Sequence, residues 1–234
     1  MYTVATSVTL AVKRATRRVP IVFYVGTDPQ AVGLIESYRK PGGRFTGIHS
    51  GFTDLTGKRL EILKEIMPKL RRVVTFHDPG NPSAQRSMKI VRDAAQRLKV
   101  GLVERPVTSV DELRASLRAL KPTDVDALFS VSDAMVQSQL DLIVEVAIAK
   151  GLPTMLQEES GVVKGGLASY GVNFYAIGQL GARQVQRILQ GASPADMPVE
   201  QLDRLKLVIN VKTARSLGLT VPAAVLARAD QVIE

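Results

Sequence analysis

Ile21-Val22-Phe23-Tyr24-Val25, then Gly26-Thr27-Asp28-Pro29, is an apolar, β-rich run followed by a small polar loop that carries an aspartate. The order returns twice. Val73-Val74-Thr75-Phe76 leads into His77-Asp78-Pro79-Gly80-Asn81-Pro82, and Ala127-Leu128-Phe129-Ser130-Val131 leads into Ser132-Asp133. Short runs of β-branched and aromatic residues closed by Gly, Pro, Asn or Asp read as buried strands. Helical periodicity lies between them, as in Leu60, Leu63, Ile66 and Met67. Strands alternating with helices give an α/β fold, a mostly parallel sheet with helices on both faces. In such sheets the loops after the carboxyl ends of the strands line the ligand crevice. One repeated unit thus supplies both a fold class and a place to look for a site.

Outward from these runs, the pattern predicts helices over 8–16, 30–39, 55–67, 82–98, 110–120, 135–149, 175–190 and 211–217. It predicts strands over 19–25, 73–76, 100–106, 127–131, 152–156 and 206–209. Ser109 with Glu112 three residues on is a capping box. The stretch 161–171 is glycine-rich and reads as extended, and 222–234 as partly helical. Between Leu34 and Leu60 the rhythm breaks: 45–49 reads as a short extended segment, and 45–57 as a crossing between two α/β lobes.

With 234 residues, 45% of them hydrophobic, the chain can bury a sizeable core. It has no apolar run near the ~20 residues that span a bilayer. It has no cysteine, which removes disulfides, thiolate metal sites and a cysteine nucleophile. Residues 1–72 hold 13 Lys/Arg against 5 Asp/Glu, a net +8 of the total +9. The densest cluster, Lys13, Arg14, Arg17 and Arg18, ends a predicted helix, where cations suit the dipole. A basic half allows nucleic acid or an anionic surface. Without interleaved aromatic residues it reads instead as a solvated face, with no nucleic-acid partner expected. Met1 to Val12 lacks the basic region and cleavage site of a secretion signal. As written, the chain is expected to stay in the cytoplasm.

Several stretches together resemble a known family. They are Val19-Pro20-Ile21-Val22-Phe23, Gly26-Thr27-Asp28-Pro29, Arg39-Lys40-Pro41-Gly42-Gly43-Arg44-Phe45-Thr46-Gly47 and Gly57-Lys58-Arg59-Leu60-Glu61-Ile62-Leu63-Lys64-Glu65. Further on come Asn81-Pro82, Gly165-Gly166-Leu167-Ala168-Ser169-Tyr170-Gly171 and Leu207-Val208-Ile209-Asn210. Thr213-Ala214, Leu217-Gly218-Leu219-Thr220-Val221-Pro222 and Leu226-Ala227-Arg228-Ala229-Asp230 complete the series. In order and spacing these are similar to the ABC-transporter substrate-binding proteins of the tryptophan/tyrosine-binding type, over essentially the whole chain. The resemblance implies a two-lobed periplasmic-binding-protein-like fold (type I) with three interlobe crossings, residues 1–47 and 168–200 forming lobe 1 and 48–167 and 201–234 lobe 2. It implies a small solute, an amino acid or related molecule, held in the interlobe cleft, hinge closure, no chemistry, an ABC permease as membrane partner, and a periplasmic location. It also implies a signal and two βα units ahead of Met1. Residues 1–4 are then expected to be the rest of a third strand, lobe 1 incomplete, and the chain alone poorly stable or self-associating.

The candidate ligand-binding residues follow strands. Thr6 and Ser7 open a helix and can hold a carboxylate through amides and hydroxyls, or serve as ordinary caps. Asp28 can pair with a ligand ammonium or cap the next element. Ser50 follows the first crossing, and His49 beside it reads as structural. Asp78 and Asn81 lie in the first lobe 2 loop; the family usually has Asn at the position of Asp78, which leaves the ligand open. Asp133, next to Ser132, occupies the matching loop and also suits a helix N-terminus. Of Gln157, Glu158 and Glu159, one is expected to reach the cleft. Tyr170 can stack on an aromatic ligand or pack inside.

Gly42-Gly43 and Gly165-Gly166 lack the strand–glycine–helix order of a phosphate cradle and read as turns. No P-loop, metal-ligand spacing or nucleophile elbow is present, so no cofactor or metal is expected. Two other classes remain beside the binding protein. One is a sensor or regulator core of the same fold. The other is an enzyme using Asp28, Asp78 or Asp133 with His49 as acid and base.

Overall fold

The computed structural model describes residues 1–202 and 204–234. In chain order the elements are β1 (Tyr2–Val4), α1 (Thr6–Ala15), β2 (Ile21–Val25), β3 (Phe45–His49), α2 (Thr56–Ile66), β4 (Arg72–His77), α3 (Pro82–Leu98), β5 (Gly101–Pro106) and α4 (Val110–Ala119). Then come β6 (Ala127–Phe129), α5 (Ala134–Gln137), α6 (Leu140–Ala149), β7 (Thr154–Leu156), α7 (Glu159–Val163), β8 (Ala168–Val172) and α8 (Phe174–Leu189). The chain ends with β9 (Glu200–Gln201), β10 (Leu205–Asn210), α9 (Val211–Ser216), α10 (Ala223–Leu226) and β11 (Gln231–Ile233). They form two compact units: Met1–Phe52 with Val172–Arg204, and Thr53–Gly171 with Leu205–Glu234.

The smaller unit holds a sheet in the order β1-β2-β3-β9. All three pairings are parallel, with Tyr2 opposite Val22, Ile21 opposite Phe45 and Ile48 opposite Glu200. Every residue of β2 and β3 is buried, which is why β2 reads as an unbroken apolar run; β3, Phe45-Thr46-Gly47-Ile48-His49, does not. Ile21, Phe23, Val25, Leu34, Ile35, Phe45 and Val199 form the core of this unit. Gly47 lies opposite Phe23, and a Cβ there would come within 2.1 Å of the Phe23 carbonyl oxygen, so only glycine fits the β2–β3 approach. Helix α8 crosses this sheet, and its buried Gln184 donates to the Gly47 carbonyl at 3.2 Å and to Glu200 at 3.0 Å.

The larger unit holds a seven-stranded sheet in the order β11-β10-β8-β7-β6-β4-β5. Its β4–β5, β4–β6, β6–β7, β7–β8 and β10–β11 pairings are parallel. Leu60, Leu63 and Ile66 of α2 and Met88 and Val91 of α3 pack with Phe129, Met155 and Ile209 in one layer of core. Leu113 and Leu117 of α4 and Ile143 and Ala147 of α6 pack with Val74, Phe76 and Leu128 in another. Strand side chains alternate between faces, so Val73 and Val74 open onto different layers and helices cover both sides. Each fully buried Leu, Ile or Phe contributes ~1.5–3 kcal/mol through the surface it removes from water.

The structure departs from the sequence reading in some places and adds to it in others. No helix forms over 30–39. Gly33 takes φ +68°, and Asp28 and Pro29 carbonyls receive the Val32 and Leu34 N–H groups, so the chain makes compact turns that bury Leu34 and Ile35. Residues 45–49, read as a short extended segment, form β3, an interior strand paired on both sides, and the chain leaves this unit after Phe52, inside the stretch 45–57. The helix expected over 135–149 is two, because Gln139, at φ −108° and ψ 25°, leaves helical geometry. The extended stretch expected over 161–171 begins inside α7 and becomes a strand only at β8. The tail is partly helical as read, in α10, and adds the edge strand β11. The two compact units divide after Phe52, Gly171 and Arg204, where the sequence reading put 47, 167 and 200. Gly42-Gly43 sits in the bend before β3 and Gly165-Gly166 in the turn after α7.

Candidate functional site

In the smaller unit, parallel β1, β2 and β3 bring three connecting loops to the carboxyl edge of one sheet. The first turn of α1 carries Thr6 and Ser7. Neither is the N-cap: that position is Ala5, with φ 79° and no side-chain cap. Such a backbone is sparsely populated for a residue with a Cβ and persists only where its surroundings hold it. Here the Ala5 N–H donates to the Tyr24 carbonyl at 3.0 Å, and the Thr9 hydroxyl donates to the Ala5 carbonyl at 2.8 Å. Buried Thr6 donates its hydroxyl to Thr27 at 3.3 Å, which links the loops after β1 and β2.

Asp28 follows β2 and is half-buried. Its Oδ1 accepts the Gln30 N–H at 2.9 Å, so it does cap its own turn, and it also accepts the Tyr38 hydroxyl at 2.9 Å. The Tyr38 oxygen lies 3.3 Å from His49 Nδ1. Burial alone would raise the Asp28 carboxyl. The Tyr38 hydroxyl, the Gln30 and Ala31 amides and the His49 charge outweigh that and hold it below the usual carboxylate range. Burial, joined by the Asp28 bond and charge, pushes the Tyr38 phenol up to about 12. Ser50, after β3, is buried and pairs its hydroxyl with Tyr24 at 2.9 Å. Beside it the Phe174 ring meets Tyr24 and Phe52 edge-on, each at 5.7 Å between centroids.

In the larger unit, the loops after β4, β6 and β7 carry the other candidates. Asp133 is 3% exposed and bonds through both oxygens: Oδ1 accepts the Met135 and Val136 N–H groups at 3.0 and 3.1 Å, and Oδ2 accepts the Asp78 N–H at 2.7 Å. It caps α5 and clamps the β4 loop to the β6 loop. Asp78 turns its own Oδ1 to the Gly80 N–H at 2.8 Å. Asn81 is buried and caps α3, accepting the Ser83 N–H at 3.0 Å.

Ser132 Oγ, His77 Nδ1 and Gln157 Nε2 are buried without a hydrogen-bond partner among the described residues. Unpaired buried polar atoms are scarce in native folds and mark places where a water or ligand group fits. The His77 ring is pushed towards its neutral form, chiefly by burial and also by Arg92, against the pull of Glu104, Asp133 and Asp78. Burial raises the Glu158 carboxyl, opposed by Ser160, Gln137 and Lys164. Glu159 instead pairs with Lys206 at 2.9 Å. Tyr170 packs on the larger core, and its carbonyl accepts the buried Arg59 Nε at 2.7 Å.

The structure therefore gathers Thr6, Ser7, Asp28 and Ser50 on one sheet edge, and Asp78, Asn81 and Asp133 on another. Sequence reasoning missed Tyr38, Tyr24, Phe52 and Phe174. Tyr24 carried a signal: it is the one residue of a wholly buried strand with a polar tip, and such hydroxyls find partners. Tyr38 was hidden by the helical reading of its segment.

Known proteins show the same plan. The family model described as ABC transporter substrate binding protein matches residues 1–233. A tyrosine-binding protein of Clostridioides difficile (strain R20291) is 26% identical over 219 residues, 94% of this chain. The chain spans 63% of that relative's length. A solved ABC domain from Streptococcus pneumonia in complex with L-Trp superposes with TM-score 0.85 at 26% identity, covering 99% of this chain and 78% of the other. A conserved domain protein from Vibrio cholerae o1 biovar eltor gives TM-score 0.85 at 30% identity, covering 99% and 77%. Parallel sheets flanked by helices, with a family match running from the first residue to the last but one, leave one assignment: this chain belongs to the ABC transporter substrate-binding protein family.

Proposed function

We propose that this chain is the solute-binding component of an ABC import system and that its solute is an amino acid with an aromatic side chain. The observation that carries the reading is the family match over residues 1–233, joined by relatives named for tyrosine and for L-Trp. The chemistry of the smaller unit supports it. Asp28, held anionic, suits an ammonium group. Thr6 and Ser7, in the uncapped first turn of α1, suit a carboxylate. The Tyr24, Phe52 and Phe174 rings, already in edge-to-face contact, suit a further aromatic ring, with Ser50 oriented by Tyr24.

On this reading Asn81, Asp133 and Tyr170 act within the larger unit, through the loops and strand they hold. Binding involves no bond making, so the solute leaves unchanged. The partner is a membrane permease and the compartment is the periplasm. The chain has no tryptophan, so the indole emission of added L-tryptophan reports the ligand alone. Expected are a blue-shifted, saturable emission, competition by L-tyrosine, a raised melting temperature, and full recovery of both amino acids by chromatography. Absence of both the emission change and the thermal shift sinks the reading. A new product that disappears in Asp28→Ala replaces it with an enzyme.

A further inference from the structure

Three side chains of the smaller unit form a hydrogen-bonded line that solute binding as such does not require. Asp28 lies after β2, Tyr38 in the turns before β3, and His49 ends β3. The line runs from Asp28 Oδ1 to the Tyr38 hydroxyl at 2.9 Å and on to His49 Nδ1 at 3.3 Å. A phenol has one proton, and an ionised carboxylate has none to offer. Tyr38 therefore donates to Asp28, and the second contact takes its proton from His49 Nδ1, which selects that tautomer. The backbone of the line is fastened too. Tyr38 and His49 carbonyls accept the Val199 and Leu202 N–H groups, at 2.8 and 2.9 Å. His49 is 9% exposed and its ring stands 5.6 Å from that of Tyr38.

We infer that Tyr38 and His49 are positioning residues that aim the Asp28 carboxylate at the ammonium group of the solute, and so make this protein select amines over the same molecules without one. The inference rests on the proposed binding of an amino acid. A carboxylate offers about four acceptor positions. Tyr38 and the Gln30 and Ala31 amides occupy three, which leaves room for one more donor. The same donors keep Asp28 charged, and the phenol stays protonated across the neutral range, so the receptor is set before the solute arrives. A brace with a merely structural role would weaken every ligand alike. A positioning role removes only the share that the amine contributes.

The test compares L-tryptophan with indole-3-propionate, which lacks the amine, by calorimetric titration of the 234-residue protein. The wild type is expected to prefer L-tryptophan. Tyr38→Phe and His49→Ala are expected to lose about tenfold of that preference, the size of one hydrogen bond to a charged group, and to hold indole-3-propionate within about twofold. His49→Asn keeps a donor near the place of Nδ1 and is expected to restore most of the preference. In ligand-free protein, the Asp28 carboxyl followed by carbon NMR is expected to titrate at higher pH in Tyr38→Phe than in wild type. An unmoved Asp28 titration, or equal loss for both ligands, overturns the inference. Binding of neither molecule, with the Asp28 titration moved, overturns instead the reading of the site on which it rests.

Discussion

Asp28 and Asp133 stand at the same point of the same repeated unit, yet they do different work. Asp133 is 3% exposed and spends both oxygens on three backbone amides, two in its own helix and one in a neighbouring loop. Asp28 is half-buried, holds one short turn, and shares its charge with a tyrosine and a histidine. A carboxylate surrounded by amides is an internal fastening. A half-buried carboxylate with a tuned neighbour can face a solute. Position after a strand does not separate the two roles, nor does the count of internal donors, three in each; exposure does, with Asp133 3% exposed and Asp28 half-buried.

The largest effect that would break this contrast is in Asp133→Ala. It strands three amide donors, and each unsatisfied buried group costs about 1–3 kcal/mol. A loss of ~3 kcal/mol or more is expected in urea unfolding, with amide exchange quickened in both the β4 and β6 loops. Asp28→Ala is expected to lose about 1 kcal/mol, as for a helix or turn cap, and to lose amine binding. Equal losses in the two variants would end the distinction.

Next in size is a comparison of two strand approaches. Gly47→Ala places a Cβ 2.1 Å from a backbone oxygen that cannot rotate away. Overpacking of this kind costs about 1–3 kcal/mol, and the β2–β3 pairing should widen. At Gly57 the same substitution meets only side-chain carbons, at 3.4 and 3.7 Å. It should be neutral or mildly stabilising, since Ala is the better helix former. Melting temperatures of the two variants should move apart.

These contrasts show what was readable in the sequence. Buried parallel strands announce themselves, so β2, β4 and β6 were found with their loops, and Asp28, Asp78 and Asp133 with them. The segment 30–39 was misread because Val32, Ile35 and Tyr38 have helical spacing. What decides it is Gly33 at positive φ and two carbonyls of the Asp28 loop reaching forward, neither of which periodicity encodes. Asp133 could not be told from Asp28, because its third partner is an amide 55 residues away. The capping box at Ser109 was only half right. Ser109 accepts the Glu112 N–H at 3.2 Å, but Glu112 turns to the Thr108 N–H at 2.7 Å instead of Ser109.

The smallest expected effect is a pair of opposite pH slopes, one from each unit. Glu158 has its carboxyl raised by burial, so the folded protein holds that proton more tightly than the unfolded chain does. Its contribution is present in full below the ordinary glutamate range and is lost as pH rises through the raised value. Glu158→Gln should remove this loss and leave the protein relatively more stable at neutral pH than at pH 4. Asp28 has its carboxyl lowered, so its contribution is present above the ordinary aspartate range and disappears as pH falls through the lowered value. Asp28→Asn should therefore lessen the loss of stability in acid. Melting curves from pH 3 to 7 for wild type and both variants separate the two. If both variants tilt the profile the same way, these carboxylates are not differently solvated, and the contrast between fastening and receptor must rest on hydrogen bonds alone.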